Sequence, residues 1–302
     1  MTGQRIVITG ASGFMGSYLA ARFRADGDRV TTVGRTGSDV SWGASAALEA
    51  AVDGADLVLN LAGKSVNCRY TEANKAEIRN SRVRTTAELG EAIAAAETPP
   101  TLWLNSSTAT IYRHADDRPM TDEDGEIGAG FSVDVATAWE REFFAHSGPG
   151  TRQVALRLAI VLGDGPALGM LVRLAKLGLG GPQIGGPTPR GGQMFSWVHI
   201  DDVYRAIRFI QRDAAITDTI NIAAPNPVSN RALMETLRRV VGARLGLPAY
   251  RWMLELGAIV LRTQTELLLK SRWVVPSKLL AAGFEFEHPE LEAAVREITG
   301  KG

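Results

Sequence analysis

A glycine-rich segment near the N-terminus is the first place where residue types and spacing could do chemistry. Gly10, Gly13 and Gly16 lie between a short apolar run and a helical pattern. The first glycine permits a tight turn, the second lets a pyrophosphate approach the backbone, and the third lets helix and strand pack closely. N–H groups at the start of the helix then bind the phosphates, so the spacing predicts a dinucleotide site. The other predicted contacts of this segment are Ser12, Phe14 and Met15.

A second candidate lies at the end of the next apolar run, which reads Val33-Gly34-Arg35-Thr36. Sites for NAD usually place an acidic residue about 20 positions beyond the glycines, where it binds the ribose 2′-hydroxyl. This segment has no acidic residue before Asp39, and the guanidinium of Arg35 could pair with a 2′-phosphate. We therefore predict that Arg35 and Thr36 select NADP over NAD. The alternative is that Arg35 is a solvated loop cation.

The elements that must position these residues are short apolar runs that alternate with longer helical patterns. Continuous apolar strands between helices are typical of a parallel sheet covered on both faces. The sequence therefore predicts an α/β fold, a Rossmann-type doubly wound parallel sheet. The predicted strands are 6–8, 30–33, 57–59, 102–104 and 154–156, and the predicted helices include 15–25, 75–96 and 133–145.

The pattern changes after about residue 165, where a second glycine-rich segment, 178–192, predicts loops that frame a substrate cleft. A strand-like segment at 195–200, a helix from Asp201 and a strand at 219–223 then return the chain to the sheet. The remainder is mainly helical. We predict an NADP-binding domain from 1–165 plus about 198–224. A smaller, mainly helical substrate domain is predicted from about 166–197 plus 225–302.

Composition narrows the class of protein. The 302 residues include 33 basic and 33 acidic side chains, which argues against a surface devoted to nucleic acid. The single cysteine, Cys68, excludes an intrachain disulfide and a cysteine-based zinc site. No signal peptide or uncharged membrane span is evident, so we expect a cytoplasmic protein.

An apolar stripe from Leu254 to Leu268 predicts a core contact or a homodimer contact. No metal is predicted, because none of the four histidines is at metal-ligand spacing: His114, His146, His199 and His288.

Further motifs resemble the extended short-chain dehydrogenase/reductase superfamily, in the NAD(P)-dependent epimerase/dehydratase family. They are Asn60-Leu61-Ala62-Gly63, Asn105-Ser106-Ser107-Thr108-Ala109-Thr110-Ile111-Tyr112, the segment 157–163 and Phe195-Ser196-Trp197-Val198-His199-Ile200-Asp201-Asp202. The segment 272–286 resembles the short C-terminal extension of an atypical branch named "epimerase family protein". The resemblance implies that Leu61 and Ala62 lie beside the adenine, that Glu77 and Arg82 line the NADP site, and that Thr108 is the catalytic Ser/Thr.

The catalytic pair of that family is missing. Its active members use a tyrosine as general acid/base and a lysine four residues later, which lowers the pKa of the tyrosine. None of the five tyrosines here has lysine at that spacing, and the expected positions fall near Ser132 and Ala136. Tyr112, close to Thr108, is the candidate acid, with a water or an arginine in place of the lysine. The alternatives are hydride transfer with weak acid assistance, and a Thr108 that only satisfies backbone groups.

Two functions remain open from the sequence. The first is an NADP(H)-binding oxidoreductase-like or epimerase-like protein that acts on a small carbonyl or nucleotide-sugar-like substrate. The second is a catalytically weak or inactive NADPH-binding sensor or regulatory protein. A true sugar epimerase ranks behind both, because no base that could remove the hydroxyl proton is evident.

Overall fold

The computed structural model describes residues 3–181, 183–184, 188, 192–250 and 270–300. Two predicted features therefore lie partly or wholly outside the described residues. Positions 182, 185–187 and 189–191 of the second glycine-rich segment are outside the described residues, and so is the apolar stripe from Leu254 to Leu268.

A parallel sheet forms the centre of the fold, since its apolar strands are covered on both faces. The strands are β1 (Arg5–Thr9), β2 (Arg29–Gly34), β3 (Val40–Ser41), β4 (Leu57–Asn60), β5 (Leu102–Thr108), β6 (Arg152–Leu158), β7 (Ile160–Leu162), β8 (Gln183–Ile184), β9 (Met194–Phe195), β10 (Trp197–His199), β11 (Asp218–Ile222), β12 (Val228–Ser229) and β13 (Ala249–Tyr250). In the described part of the chain, seven of them pair in the order β11-β6-β5-β4-β1-β2-β3, and each pair is parallel. The first five predicted strands and the predicted strand at 219–223 lie within this sheet, which confirms the Rossmann-type α/β fold. The strand-like segment at 195–200 was wrongly predicted to join it, because β9 pairs with β12 and β10 pairs with β7 outside this sheet.

The strand order reverses direction between β1 and β4. From β1 the chain proceeds outward through β2 and β3, and it then returns to build β4, β5 and β6 on the other side. In open α/β sheets, ligands bind outside the carboxyl ends of the strands at such a point of reversal. The predicted glycine turn follows β1 directly and therefore lies at this point.

Helices cover both faces of the sheet. They are α1 (Phe14–Ala25), α2 (Ser45–Val52), α3 (Glu72–Ala95), α4 (Phe131–Ala145), α5 (Pro166–Lys176), α6 (Ile200–Arg212), α7 (Asn230–Val241), α8 (Ser277–Ala281) and α9 (Leu291–Ile298). Because side chains alternate along a strand, Ile6 and Ile8 pack with Phe23 of α1, whereas Val7 packs on the opposite side with Phe143 of α4. In the described ranges, none of these helices combines the length and apolar character needed to cross a bilayer.

Four helices begin one to three residues earlier than the periodicity predicts, namely α1, α3, α4 and α6, and side-chain caps explain the difference for two of them. The Thr71 side chain accepts a hydrogen bond from the N–H of Asn74 at 3.2 Å, so α3 begins at Glu72 rather than Lys75. His199 accepts one from the N–H of Asp201 at 3.2 Å, so α6 begins before Asp201. Side chains outside the apolar pattern therefore set both boundaries.

A separate hydrophobic cluster forms around α5, α7 and α9. It joins Leu168, Leu233 and Val295 from those helices to Trp197 of β10. Because this cluster has its own buried side chains, it supplies a core for a smaller unit. The division at 166–197 plus 225–302 stays a prediction.

One C-terminal segment packs against the sheet rather than with that smaller unit. Leu279 and Phe284 are buried in the same cluster as Ile207 of α6, and the Phe284 ring meets Phe209 with centroids 5.4 Å apart. Lys278 donates a hydrogen bond from Nζ to the carbonyl oxygen of Thr219 at the sheet edge, at 3.0 Å. Residues late in the chain thus complete the core formed by the first half.

A buried ion pair ties α4 to β6. Glu140 and Arg157 have side chains 10% and 11% exposed, and they form two contacts, Nε–Oε1 at 2.9 Å and Nη2–Oε2 at 2.8 Å. Ser107 donates a third hydrogen bond to Glu140 Oε1 at 2.6 Å. Burial lowers the pKa of Arg157, but the hydrogen bonds and charge of Glu140 more than offset this and raise it above its ordinary value.

Replacing Arg157 by methionine should strongly destabilise the protein, since it leaves the Glu140 carboxylate buried without its cation. We expect a loss of about 3–5 kcal/mol in the free energy of unfolding, measured by urea denaturation. Arg118→Met, which breaks more exposed pairs with Asp124 and Glu126, is the matched control and should cost less than about 1 kcal/mol. Equal losses in the two variants would contradict a dominant role for the buried pair.

Candidate functional site

The glycine turn after β1 is built from close backbone contacts. Gly10 has φ +69°, and a Cβ placed on it would lie 2.6 Å from the carbonyl oxygen of Leu61. A Cβ on Gly16 would lie 2.3 Å from the carbonyl oxygen of Gly10. Neither position can carry a side chain without moving the backbone. The strand end and the first turn of α1 are therefore packed as the sequence analysis expects.

The N-terminus of α1 carries no side-chain cap. Its N-cap, Gly13, has an extended backbone and no cap hydrogen bond, and the first turn has no acidic residue. The first N–H groups of a helix have no partners within the helix, and the helix dipole favours an anion beside them. Gly13, Phe14 and Met15 line a cleft, so this helix terminus is open to a phosphate.

The cleft measures about 460 Å³ and lies at the carboxyl edge of the sheet. Its walls are the glycine turn, the loop after β4, the side of α3 that includes Ile78, the end of β5 and the first two turns of α4. Leu61 lines it, whereas Ala62 is buried just behind and donates its N–H to Asn60 Oδ1 at 3.1 Å. A volume of this size is in the range of small-molecule and cofactor sites.

Arg82 is the main charged group of the cleft wall. Its Nη1 donates to the carbonyl oxygens of Lys64 and Ile78, at 3.1 and 2.8 Å, and its guanidinium lies 5.0 Å from the ring centre of Trp139. Burial lowers the pKa of Arg82 to about 10, and no carboxylate is paired with it among the described residues. A half-buried cation whose hydrogen-bond partners are neutral carbonyl groups favours an anionic ligand.

Five predicted cofactor residues are not in the cleft wall: Ala62, which is buried behind it, and four exposed residues, Ser12, Arg35, Thr36 and Glu77. Arg35 and Thr36 are exposed just beyond the carboxyl end of β2, next to β1. Glu77 is exposed on α3, and Ser12 is exposed within the glycine turn itself. The structure therefore groups seven of the predicted cofactor residues in one cleft: Gly10, Gly13, Phe14, Met15, Gly16, Leu61 and Arg82.

Of the two predicted catalytic residues, Thr108 lines the cleft and Tyr112 does not. Thr108 lines the cleft, and its Oγ1 accepts a hydrogen bond from the N–H of Thr110 at 3.1 Å. This bond caps the short 3₁₀ turn Ala109–Ile111, as the alternative interpretation expected. The same bond occupies a lone pair and leaves the hydroxyl proton for a group in the cleft.

Tyr112 does not reach the cleft, which corrects its prediction as the candidate acid. It is 1% exposed, its hydroxyl donates to Asn221 Oδ1 at 2.8 Å, and Arg157 Nη1 donates to that hydroxyl at 3.0 Å. Burial raises the pKa of Tyr112, although the charge of Arg157 opposes this. The side chain points into the core after β5, because the 3₁₀ turn redirects the chain there. Tyr112 therefore belongs to the packing between β6 and β11.

The expected positions of the family's tyrosine and lysine do face the cleft. Ser132 and Ala136 lie one turn apart on α4, and both line it. This face of α4 is therefore turned toward the cleft, but neither position carries the tyrosine or the lysine that the family uses. Tyr70 and Lys64, both from the loop after β4, also line the cleft and were not singled out from the sequence. The sequence analysis looked for a tyrosine followed by a lysine four residues later. It missed Tyr70 because the residues near Tyr70 in space come from other elements.

A group of possible metal ligands lies at the start of α6, away from the glycine turn in sequence. His199, Asp201, His288 and Glu297 offer ligand atoms within 4.8 Å of one another. The ring centroids of His199 and His288 lie 3.9 Å apart, and the two ring planes are tilted by 42°. The spacing of the two histidines in sequence could not show this, because only the fold brings α9 to the start of α6.

Comparisons with known proteins agree with this geometry. Residues 6–223 match the NAD dependent epimerase/dehydratase family, and residues 251–298 match a domain of unknown function, DUF1731. The epimerase family protein YfhF of Bacillus subtilis is 30% identical, over 97% of this chain and 97% of its own. The human epimerase family protein SDR39U1 is 31% identical, over 97% of this chain and 99% of its own.

A solved structure extends the likeness to three dimensions. The crystal structure of human SDR39U1 (isoform 2) with NADPH has a TM-score of 0.87 at 29% identity, and the match covers 99% of this chain and 100% of that one. The family resemblance inferred from the motifs is thereby confirmed. The chain belongs to the NAD dependent epimerase/dehydratase family.

Proposed function

We propose that the protein binds NADPH in the cleft and is an oxidoreductase-like or epimerase-like enzyme. The observation that carries the proposal is the open N-terminus of α1 in the same cleft as the half-buried Arg82, which has no carboxylate partner in the described ranges. Both features favour an anionic ligand, and a dinucleotide has phosphates that match them. The human relative solved with NADPH supports the same ligand.

The residues present fit such a cofactor along its length. Gly10, Gly13 and Gly16 carry no side chains that would crowd a pyrophosphate at the helix start, and Arg35, exposed just beyond β2, is the cation that we assign to the 2′-phosphate. Arg82 supplies a second cation at the α4 side of the cleft. When bound, NADPH supplies a hydride from its nicotinamide ring.

The substrate is proposed to be a small carbonyl or nucleotide-sugar-like compound held between the cofactor and α4. Thr108 is the residue that would polarise its carbonyl oxygen, because the Oγ1 lone pair is engaged by Thr110 and the hydroxyl proton is not. Ser107 cannot share this role, since it donates its proton to Glu140.

A second candidate function is an NADPH-binding sensor with little chemistry. It is favoured by one observation: Ser132 and Ala136, near which the family's tyrosine and lysine are expected, line the cleft without either side chain. Bound NADPH that stays reduced against a broad panel of carbonyl and sugar-nucleotide compounds would support the sensor. Oxidation of NADPH by any of them would support the enzyme.

Arg35→Ala should weaken NADPH binding by about tenfold, or about 1.4 kcal/mol, and leave NADH binding nearly unchanged. The reason is that only NADPH carries the 2′-phosphate that the guanidinium pairs with. Fluorescence titration of each nucleotide measures both dissociation constants. Arg141→Ala, which removes an exposed arginine of α4 outside the cleft wall, is the control. Equal or tighter binding of NADH by the unmodified protein would overturn the NADP assignment.

Thr108→Val should lower kcat/KM by about a hundredfold for any panel compound that is reduced, because valine keeps the shape and removes the donor. NADPH binding should change by less than about twofold. Thr108→Ser keeps the hydroxyl and should retain most of the activity. The assay follows NADPH absorbance. Unchanged turnover in the valine variant would leave Thr108 with the capping role alone.

A further inference from the structure

Two histidines that lie far apart in the sequence meet at the start of α6. His199 is the N-cap residue of α6, and His288 lies just before α9. Their ring centroids are 3.9 Å apart, and their side chains are 3% and 10% exposed. Neither residue lines the cleft, so the pair is separate from the cofactor site proposed above.

Two carboxylates complete this cluster. Asp201 lies in the first turn of α6, and Glu297 lies in the last turn of α9. One ring nitrogen of each histidine and one oxygen of each acid all lie within 4.8 Å of one another. His288 Nδ1 and Glu297 Oε2 are 3.2 Å apart. Two ligands of a tetrahedral zinc ion, each about 2.0–2.1 Å from the metal, lie about 3.3 Å apart. This pair of atoms therefore already has the separation that a shared metal ion requires.

One buried nitrogen of the cluster lacks a hydrogen-bond partner. His199 Nδ1 accepts the N–H of Asp201 at 3.2 Å, whereas His199 Nε2 is buried and has no partner in the part of the chain that the structure describes. A buried polar atom without a partner costs free energy, which a ligand bound to that atom recovers. Because imidazole is the commonest metal ligand among side chains, this nitrogen points to a metal ion.

The surroundings of the His199 ring can also accept its proton. A metal ion on Nε2 requires the ring proton on Nδ1, and the cap bond from the Asp201 N–H is then given up. Asp201 Oδ2 lies 3.7 Å from Nδ1 and becomes the acceptor after a short side-chain movement. A carboxylate behind the second nitrogen is the usual arrangement for a metal-bound histidine. Asp201 Oδ1 is already held by Tyr18 Oη and Arg22 Nη1, so this carboxylate positions His199 rather than binding the metal.

The cluster is held firmly on one side and reaches solvent on the other. Asp202 is fully buried, and it accepts the N–H groups of Glu287 and His288, both at 2.9 Å. These two bonds fix the backbone of His288 beside α6. The Glu297 side chain is 54% exposed, so a metal ion can enter from that side.

The neighbouring charges permit a cation. Arg22 is paired with Asp201 at 2.8 Å, and Arg205 is paired with Asp202 at 2.9 Å. The N-terminus of a helix disfavours a cation, but the two aspartates in the first turn of α6 oppose that effect. The Glu297 carboxylate supplies the further negative charge that a divalent ion requires.

We propose that His199, His288 and Glu297 bind a divalent transition-metal ion of the zinc class, and that Asp201 orients His199. Two imidazoles and one carboxylate suit zinc, whereas magnesium and calcium prefer oxygen ligands throughout. Water completes the coordination. Because the ligands come from the start of α6 and from the C-terminal segment, the ion joins that segment to the sheet.

The test is a Co²⁺ titration of the full chain without an affinity tag, followed by visible absorption, because cobalt occupies zinc sites and absorbs visible light. We expect one equivalent to bind and zinc to displace it. Glu297→Gln should weaken cobalt binding at least about tenfold, and His288→Ala at least about a hundredfold. His146→Ala is the matched control, since His146 Nε2 lies 3.1 Å from Glu142 Oε1 in a histidine–carboxylate pair outside the cluster. It should leave cobalt binding unchanged.

Absence of cobalt binding at millimolar concentration would overturn the proposal, and so would equal binding by Glu297→Gln and the unmodified protein. Loss of binding in His146→Ala would place the ion elsewhere and contradict it as well. Should His288→Ala fail to fold by circular dichroism, Glu297→Gln decides, because its side chain is half exposed and glutamine keeps the shape. None of the three ligands lines the cleft, so the titration does not depend on NADPH binding.

Discussion

Close backbone contact at the end of β1 determines the shape of the site. Leu61 follows β4, and a Cβ placed on Gly10 would lie only 2.6 Å from its carbonyl oxygen. Gly16 brings the first turn of α1 equally close to Gly10. Because these three segments touch through their backbones, the helix terminus is held directly above the gap between β1 and β4. The loops that diverge from this point enclose the cleft.

The distribution of charge follows from that packing. The cleft wall contains Lys64 and Arg82 and, among the described residues, no carboxylate. The nearby buried acid, Glu140, is engaged by Arg157 and Ser107 behind the end of β5. Removing part of the Arg82 guanidinium from water without a counter-ion costs free energy that a bound anion recovers. The protein thereby couples the occupancy of its site to its own stability, because an anion that binds the folded state alone also stabilises it.

The features that depend on a local pattern of residues could be predicted from the sequence. Apolar runs predicted the strands, and the spacing of Gly10, Gly13 and Gly16 predicted a turn that the structure places at the sheet reversal. Tyr112 was misplaced because its neighbours in space, Arg157 and Asn221, come from distant strands. Tyr70 was overlooked for the converse reason, since it lies in a loop and only the fold brings it to the cleft and to Phe131 of α4.

The late packing of Leu279 and Phe284 on α6 has a consequence for biosynthesis. A chain emerges from the ribosome with its N-terminal part first, and domains begin to fold as they emerge. The strands and helices up to α6 are complete long before residues 279–284 are made, so the apolar side of α6 is uncovered during that interval. The nascent chain therefore carries an exposed apolar surface of the kind that chaperones hold, and its sheet reaches its final packing only near the end of translation.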